Sequence, residues 1–267
     1  MGEVIISCTD IKKNYGKHEV LKGVNLEIQK GEIYGIVGKN GCGKTTLFKV
    51  LLGLSDHNGG KIVIGDDPND IEKGRRNIGF FIGSNIFPNM TARQNLEYYR
   101  QVKGIKDKNE VERVLKLVEM DKKNTKVGGF SLGQRQRIGI ANALMGNPEI
   151  IILDEPVNGL DPKGIADIRN LVKKLNEEYG ITVLISSHIL SELQNTAHKF
   201  AVIHDGVVAK VISQEDLEKT QNSMTISVSD MDKARVALKE AGVEILAEKH
   251  DMKSLEDYYF ELIGGNK

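Results

Sequence analysis

The apolar positions of this chain change their period along its length, and each change marks an element. Val4 to Ser7, Val24 to Ile28 and Glu32 to Val37 are short apolar runs bounded by Gly, Asn or Lys-rich turns, which predicts strands. After Gly43 the sequence KTTLFKVLLGL carries its apolar residues at helical spacing and stops at Gly53, so a strand, a glycine-rich loop and a helix follow in order. From Thr91 the texture is helical. Thr91 and Gln94 have capping-box spacing ahead of NLEYYRQVK, which ends at Gly104, and Asp107 and Glu110 repeat the device ahead of VERVLKLVEM. Val111, Val114, Leu115 and Val118 make one apolar stripe, and residues 88–146 read as an inserted helical subdomain. Strand signals return at Ile150 to Leu153 and Thr182 to Ile185, the first a continuous apolar run suited to a parallel strand covered on both faces. Between them IADIRNLVKKLNEEYG predicts an amphipathic helix closed by Gly180. This alternation is that of an α/β protein built on a parallel sheet.

Beyond Lys210 the pattern shifts to shorter units. Ser213 opens a short helix, Thr225 to Val228 alternates as a strand, Asp230 to Ala241 is helical, Val243 to Leu246 is a strand, and Ser254 and Asp257 cap a last amphipathic helix to Ile263. A small C-terminal appendage is expected, packed as a cap on the core, against a second copy, or as a ligand sensor, with packing the plainest reading. A chain of 267 residues has room for one large α/β domain with such an appendage, at ~150 residues per domain. Lys plus Arg and Asp plus Glu both number 37, which removes the basic excess of a polyanion binder, so no nucleic-acid partner is expected. Two cysteines, Cys8 and Cys42, are too few for a disulfide framework or zinc site, which makes a reducing cytosol the default. The N-terminus MGEVIISCTD lacks a signal-peptide pattern, and no apolar run approaches the ~18 residues of a membrane span. Any membrane role is therefore expected through a partner.

The strongest local signal runs from Gly38 to Thr45, GKNGCGKT, which fits G-x-x-x-x-G-K-[ST] in every fixed position between a strand and a helix. Small glycines let backbone N–H groups turn onto phosphate oxygens, and the helix N-terminus adds its positive dipole end. Lys44 is placed to reach the β- and γ-phosphates of a nucleotide, and the Thr45 hydroxyl to hold Mg²⁺. The bland alternative is a glycine turn with a chance Lys-Thr. Ile150 to Leu153 then delivers two carboxylates at a strand's C-terminal end, Asp154 to support Mg²⁺ and Glu155 to polarise a water. Alone, such acidic residues are more often ordinary loop residues. Three further pieces join them in order: FSLGQRQR at Phe130 to Arg137, NGLDP at Asn158 to Pro162, and Ser186-Ser187-His188. Singly, Ser131 is a helix N-cap, Asp161-Pro162 a turn and His188 a strand-end polar residue.

Together these motifs resemble an ATP-binding cassette, the motor subunit of ABC transporters, from about Val4 to about Lys210. The resemblance implies an α/β fold of P-loop NTPase type: a RecA-like core, an N-terminal antiparallel β-subdomain, the helical insert, and a small C-terminal α+β appendage, divided as 1–210 and 211–267. It implies that ATP is held by Gly38, Asn40, Gly41, Cys42, Gly43, Lys44, Thr45 and Thr46, with Tyr15 stacked on adenine and Mg²⁺ held by Thr45 and Asp154. It implies head-to-tail pairing with a second cassette, in which Ser131, Gly133 and Gln134 contact the γ-phosphate across the dimer and Asp161 links the two sites. Lys44, Glu155 and His188 are then the catalytic set, Glu155 as general base and His188 holding the γ-phosphate and water in line. Separate integral membrane permease subunits would keep the chain at the inner face of the membrane.

The sequence also departs from the family pattern. The usual Gln, or Glu in one exporter branch, falls at Gly83 in IGFFIGSNIFPNM, so its contact is absent, supplied by Ser84 or Asn85, or replaced by water. Leu132 stands where Gly is common in the signature. That variant, the extended C-terminus and the NMTARQNL stretch are similar to exporter ATPases of the bacitracin-resistance and lantibiotic-immunity type. Phe80 and Phe81 are expected in a strand's core. Ile86 and Phe87 read equally as core or as a groove for a membrane partner's helix. An exporter ATPase is the resulting expectation. Its rivals are a soluble assembly ATPase, as in iron–sulfur cluster assembly, an importer ATPase, and a non-catalytic module in which ATP only locks an interface.

Overall fold

The computed structural model describes residues 2–83, 86–121, 124–189, 193–194, 196–219, 228–243 and 245. The N-terminal strands β1 (Val4–Tyr15) and β2 (His18–Gln29) form a hairpin, β3 (Ile33–Val37) leads into α1 (Lys44–Leu51), and β4 (Gly59–Ile64) returns antiparallel to β1. The resulting small sheet has the order β2-β1-β4. Both hairpin strands are much longer than their apolar runs. Between Cys8 and Ile11 the register shifts, leaving Thr9 and Asp10 exposed together and Cys8 and Ile11 both buried. A bulge of that kind breaks the period of two by which a strand is read.

After α2 (Ile71–Arg76), the second sheet gathers β5 (Ile78–Ile82), β6 (Ile150–Asp154), β7 (Thr182–Ser187), β8 (Lys199–His204) and β9 (Val207–Ser213) around β3. Its order is β5-β6-β7-β3-β8-β9, parallel throughout except for β9, which runs antiparallel to β8. Every residue of β3 and β7 is buried, as a sheet covered on both faces requires. The β8–β9 hairpin went unread from sequence. Its signal is Asp205-Gly206 between two apolar runs, a strong hairpin dipeptide.

The chain between β5 and β6 is helical: α3 (Ala92–Val102), α4 (Glu110–Leu117) and α5 (Leu132–Ala143). Thr91 caps α3 with a complete capping box, its hydroxyl accepting from the Gln94 amide at 3.2 Å. The second expected box is corrected. Asn109 is the N-cap of α4 and makes no side-chain cap, while Asp107 instead accepts from the Asn109 amide at 2.9 Å. Glu110 is buried and spent elsewhere, accepting from Arg113 at 2.7 Å and from the Gly146 amide at 2.7 Å, so its carboxylate ties α4 to the end of α5.

Helix α5 lies unusually close to the sheet. A Cβ at Gly79 in β5 would fall 1.8 Å from the Ala143 carbonyl oxygen, and one at Gly139 would fall 2.1 Å from the Phe81 ring. Phe81 is therefore core, at 6% exposure, but Phe80 on the other face of this edge strand is 41% exposed, which corrects the expectation that both phenylalanines are buried. Gly79→Ala forces a methyl group against the Ala143 backbone. It is expected to destabilise the fold by ~2 kcal/mol and lower the melting temperature by roughly 4–8 °C, checked by thermal denaturation.

The chain continues with α6 (Pro162–Tyr179) between β6 and β7, α7 (Gln214–Lys219) after β9, and α8 (Met231–Glu240). Contacts divide it into two compact units, Met1–Thr220 and Gln221–Lys267. In the second, Asp230 caps α8 by accepting from the Lys233 amide at 3.1 Å, and none of that helix is buried. The strands expected at 225–228 and 243–246 lie mainly, and the final helix to Ile263 wholly, outside the described residues.

Candidate functional site

The parallel sheet brings four strand ends together. Val37 of β3 pairs with Ser187 of β7, Leu153 of β6 with Ile185, and Ile82 of β5 with Asp154, so the loops leaving β3, β6 and β7 at their C-terminal ends share one edge. That edge is where open α/β sheets hold ligands. From β3 the loop Gly38 to Gly43 crosses to α1. Gly38 has no room for a side chain, since a Cβ there would lie 2.5 Å from the Ile203 carbonyl oxygen and 2.5 Å from the Cys42 sulfur.

Lys44, the first residue of α1, is 5% exposed yet fully partnered. Its Nζ donates to the Gly38 carbonyl at 2.7 Å and the Lys39 carbonyl at 3.3 Å, and lies 3.1 Å from Glu155 Oε1. A buried ammonium is tolerable only with such compensation. The next residue, Thr45, donates its hydroxyl to Asp154 Oδ2 at 2.6 Å, while Asp154 Oδ1 accepts from the Ser186 hydroxyl at 2.6 Å. Ser186, buried at the end of β7, also accepts from the Glu155 amide at 2.8 Å and so aligns two consecutive acidic residues. The motif Ser186-Ser187-His188 alone does not reveal this role of Ser186.

Glu155 has φ +50, a conformation unfavourable for a residue with a side chain and frequent where a site holds a group in place. Its Oε2 lies 2.5 Å from His188 Nδ1. Because the carboxylate can only accept, Nδ1 carries the proton and Nε2 is left for another partner. The carboxylate thus sits between an ammonium and an imidazole. A cavity of about 220 Å³ opens in front of it, lined by Asn40, Gly41, Gly43, Lys44, Thr45 and Thr46 on one side and by Glu155 and Asn158 on the other. Asn158 was not anticipated as a lining residue; it follows Glu155 in a tight turn, its amide donating to the Glu155 carbonyl at 3.2 Å.

Tyr15, half exposed at the hairpin tip, places its hydroxyl 3.5 Å from Ser55 Oγ and against Thr46, with the Lys13 ammonium 4.9 Å from the ring centre. The hydrogen bond with Ser55 holds its phenol below the usual tyrosine range. Tyr15 therefore reaches from the small sheet to both ends of the α1 segment, at Thr46 and Ser55. Ser131, Gly133, Gln134 and Asp161 do not line that cavity. They converge on a second one, about 500 Å³, between the start of α5 and the start of α6. Ser131 caps α5 in a box with Gln134, and Asp161 caps α6 by accepting from the Gly164 amide at 2.9 Å. Leu132 packs here against Gly159, whose added Cβ would stand 3.2 Å from a Leu132 methyl.

Gly83 has φ +68, a left-handed conformation that glycine adopts freely, with no atom within 4 Å of an added Cβ. The suggested substitutes Ser84 and Asn85 lie outside the described residues. Beyond them Phe87, Tyr98 and Tyr99 form an aromatic cluster, Phe87 and Tyr98 meeting edge to face at 4.9 Å with both rings partly exposed. Cys42 is half-buried in the glycine-rich loop, whereas burial pushes the Cys8 thiol up to about 12. A maleimide is accordingly expected to label Cys42 alone and abolish ATP binding, and prior saturation with ATP to protect it. Counting labels by mass spectrometry and titrating nucleotide checks both points.

Comparison with known proteins supplies the family. A family model for ABC transporters matches residues 21–158. The bacitracin transport ATP-binding protein BcrA of Bacillus licheniformis is 36% identical over 98% of each chain, and the lantibiotic transport ATP-binding protein SrtF of Streptococcus pyogenes is 35% identical over 82% of this chain and 93% of its own. Among solved structures, the dimeric cassette MJ0796 bound to ADP and Pi has a TM-score of 0.68 at 30% identity, covering 78% of this chain and 98% of that one. CbiO1 of Clostridium perfringens, part of the ABC transporter complex cbiONQ, has a TM-score of 0.73 at 26% identity, covering 90% and 98%. The chain belongs to the ABC transporter family, as an ATP-binding subunit that hydrolyses ATP. Among the described residues no helix is long and apolar enough to cross a membrane.

Proposed function

We propose that this chain is the motor of an exporter for a peptide antibiotic or a similar amphiphile, working as a pair of cassettes on a separate integral membrane permease. The bacitracin and lantibiotic relatives support the substrate class, at 35–36% identity over most of the chain. The observation that carries the pairing is the separation of two cavities: one holds Lys44, Thr45 and Glu155, the other Ser131, Gly133, Gln134 and Asp161. A second cassette, turned head to tail, brings the second set onto the nucleotide of the first. Ser131 then offers its hydroxyl, and the start of α5 its N–H groups, to the γ-phosphate.

In the closed pair Tyr15 stacks on adenine, backbone N–H groups from Gly38 to Thr46 hold the phosphates, and Lys44 neutralises the β- and γ-oxygens. Thr45 and Asp154, a hydroxyl and a carboxylate 2.6 Å apart, are the hard-oxygen set that suits Mg²⁺, an ion that keeps water and phosphate as its other ligands. When bound, Mg²⁺ offsets the charge on the phosphate oxygens. Glu155 takes a proton from water as its oxygen attacks the γ-phosphorus and the bond to ADP breaks. His188 holds the Glu155 carboxylate through Nδ1 and presents Nε2 toward the γ-phosphate. The helical insert, about residues 88–146, is the arm on the permease side, and the Phe87, Tyr98 and Tyr99 cluster is its seat for a helix of that partner. The permease keeps the chain at the inner face of the membrane.

The test is capture of the tagged chain from detergent-solubilised cells with ATP present, followed by identification of what accompanies it. Co-purification of an integral membrane protein with several spans supports the reading. Recovery in a purely soluble complex, with none of the chain on membranes, overturns it in favour of an assembly ATPase.

A further inference from the structure

Helix α5 serves two regions at once. Its second half is clamped to β5 through the Gly79 and Gly139 contacts, while its first turn, Ser131 to Gln134, faces the 500 Å³ cavity. Arg137 lies on the same face, one turn beyond Gln134, and its guanidinium reaches in two directions. Nη1 donates to the Val118 carbonyl at 2.9 Å and lies 3.3 Å from Glu119 Oε2, both at the end of α4. Nη2 lies 3.7 Å from Asp167 Oδ2 on α6. Its side chain is only 15% exposed.

The chemistry suits a brace. Val118 is the C-cap of α4, where carbonyls lack partners within the helix and attract cations. A planar guanidinium spreads its donors over a rigid fork and can face partners on two sides, whereas an ammonium gathers its three donors on one atom. The helix bearing Asp167 is capped by Asp161, which lines the same cavity. Arg137 thereby joins the end of α4, the first half of α5 and the N-terminal half of α6 at the edge of one cavity.

We infer that Arg137 is a positioning residue, setting the spacing between the Ser131–Gln134 turn and Asp161 that this cassette offers to its partner's nucleotide. The inference rests on the proposed pairing. It touches no nucleotide, so its loss acts on turnover in the pair and spares the cassette's own binding of ADP.

Arg137→Met keeps the apolar stem and removes the fork. It is expected to lower turnover at saturating ATP about tenfold, equivalent to ~1.4 kcal/mol, with ADP affinity unchanged within about twofold. Asp167→Asn is expected to lower turnover less, about threefold, and the double variant to be no slower than Arg137→Met alone. Arg137→Lys is expected to recover part of the rate. Unchanged turnover in Arg137→Met, an equal loss of ADP affinity, or simple multiplication of the two single effects overturns the inference. If Arg137→Met fails to fold, Asp167→Asn carries the test: a slower rate with intact ADP binding supports it, and a wild-type rate overturns it. Pairing is read separately, by light scattering of Glu155→Gln in saturating ATP. A monomer there overturns the pairing itself, whereas a dimer together with full activity of Arg137→Met overturns only the role of Arg137.

Discussion

Glu155→Gln is expected to lower ATP turnover by about 10³-fold, the middle of the range for a positioned general base. The amide keeps the shape of the side chain but cannot take the water's proton, and it loses the ion pair with Lys44 at 3.1 Å and the charged acceptor for His188 at 2.5 Å. Binding is not expected to weaken. Lys44 released from Glu155 is more available to phosphate oxygens, so ATP should be held and the closed pair should accumulate. Steady-state phosphate release gives the rate, and light scattering with and without ATP gives the assembly. Retained turnover within tenfold of the natural protein would assign the base elsewhere.

Lys44→Ala acts on the other side of the same cavity. It removes an ammonium that is 5% exposed and aimed between two loop carbonyls and the Glu155 carboxylate. A charge-assisted contact of this kind contributes about 1.5–3 kcal/mol, so ATP affinity is expected to fall by roughly a hundredfold, read by calorimetric titration. The Gly38 and Lys39 carbonyls also lose their donor, so the loop should loosen. ATP-dependent pairing should disappear in this variant, in contrast with Glu155→Gln, and that opposite response separates phosphate binding from chemistry. Equal ATP affinity in Lys44→Ala and the natural protein would mean that the loop binds through its backbone alone.

Much of this was legible in the chain because the chemistry is local in sequence. The glycine-rich loop lies between a strand and a helix within a dozen residues, and its glycines, lysine and threonine stand in the order that a phosphate-binding loop requires. The continuous apolar run Ile150 to Leu153 marks a buried strand and delivers two carboxylates directly after it. The capping box at Thr91 and the N-cap at Ser131 were readable for the same reason, since a cap and its partner lie within one turn. The box at Asp107 failed because Glu110 is taken by Arg113 and the Gly146 amide, the latter from the far end of α5.

What the sequence determined by itself was the set of groups and their order: phosphate loop, signature turn, acidic strand and histidine. Only the tertiary structure decided their grouping. Parallel pairing of β3, β6 and β7 brings Glu155 into contact with both Lys44 and His188, although Glu155 lies more than a hundred residues from Lys44. The same fold sends Ser131 and Asp161 to a different cavity, which no spacing along the chain announces. Burial of Phe81 with exposure of Phe80, the task of Ser186 and the brace at Arg137 were decided there too. The physical reason is common to all: period and capping are short-range, whereas strand order, close helix–sheet approach and long-range hydrogen bonds arise only when distant segments pack.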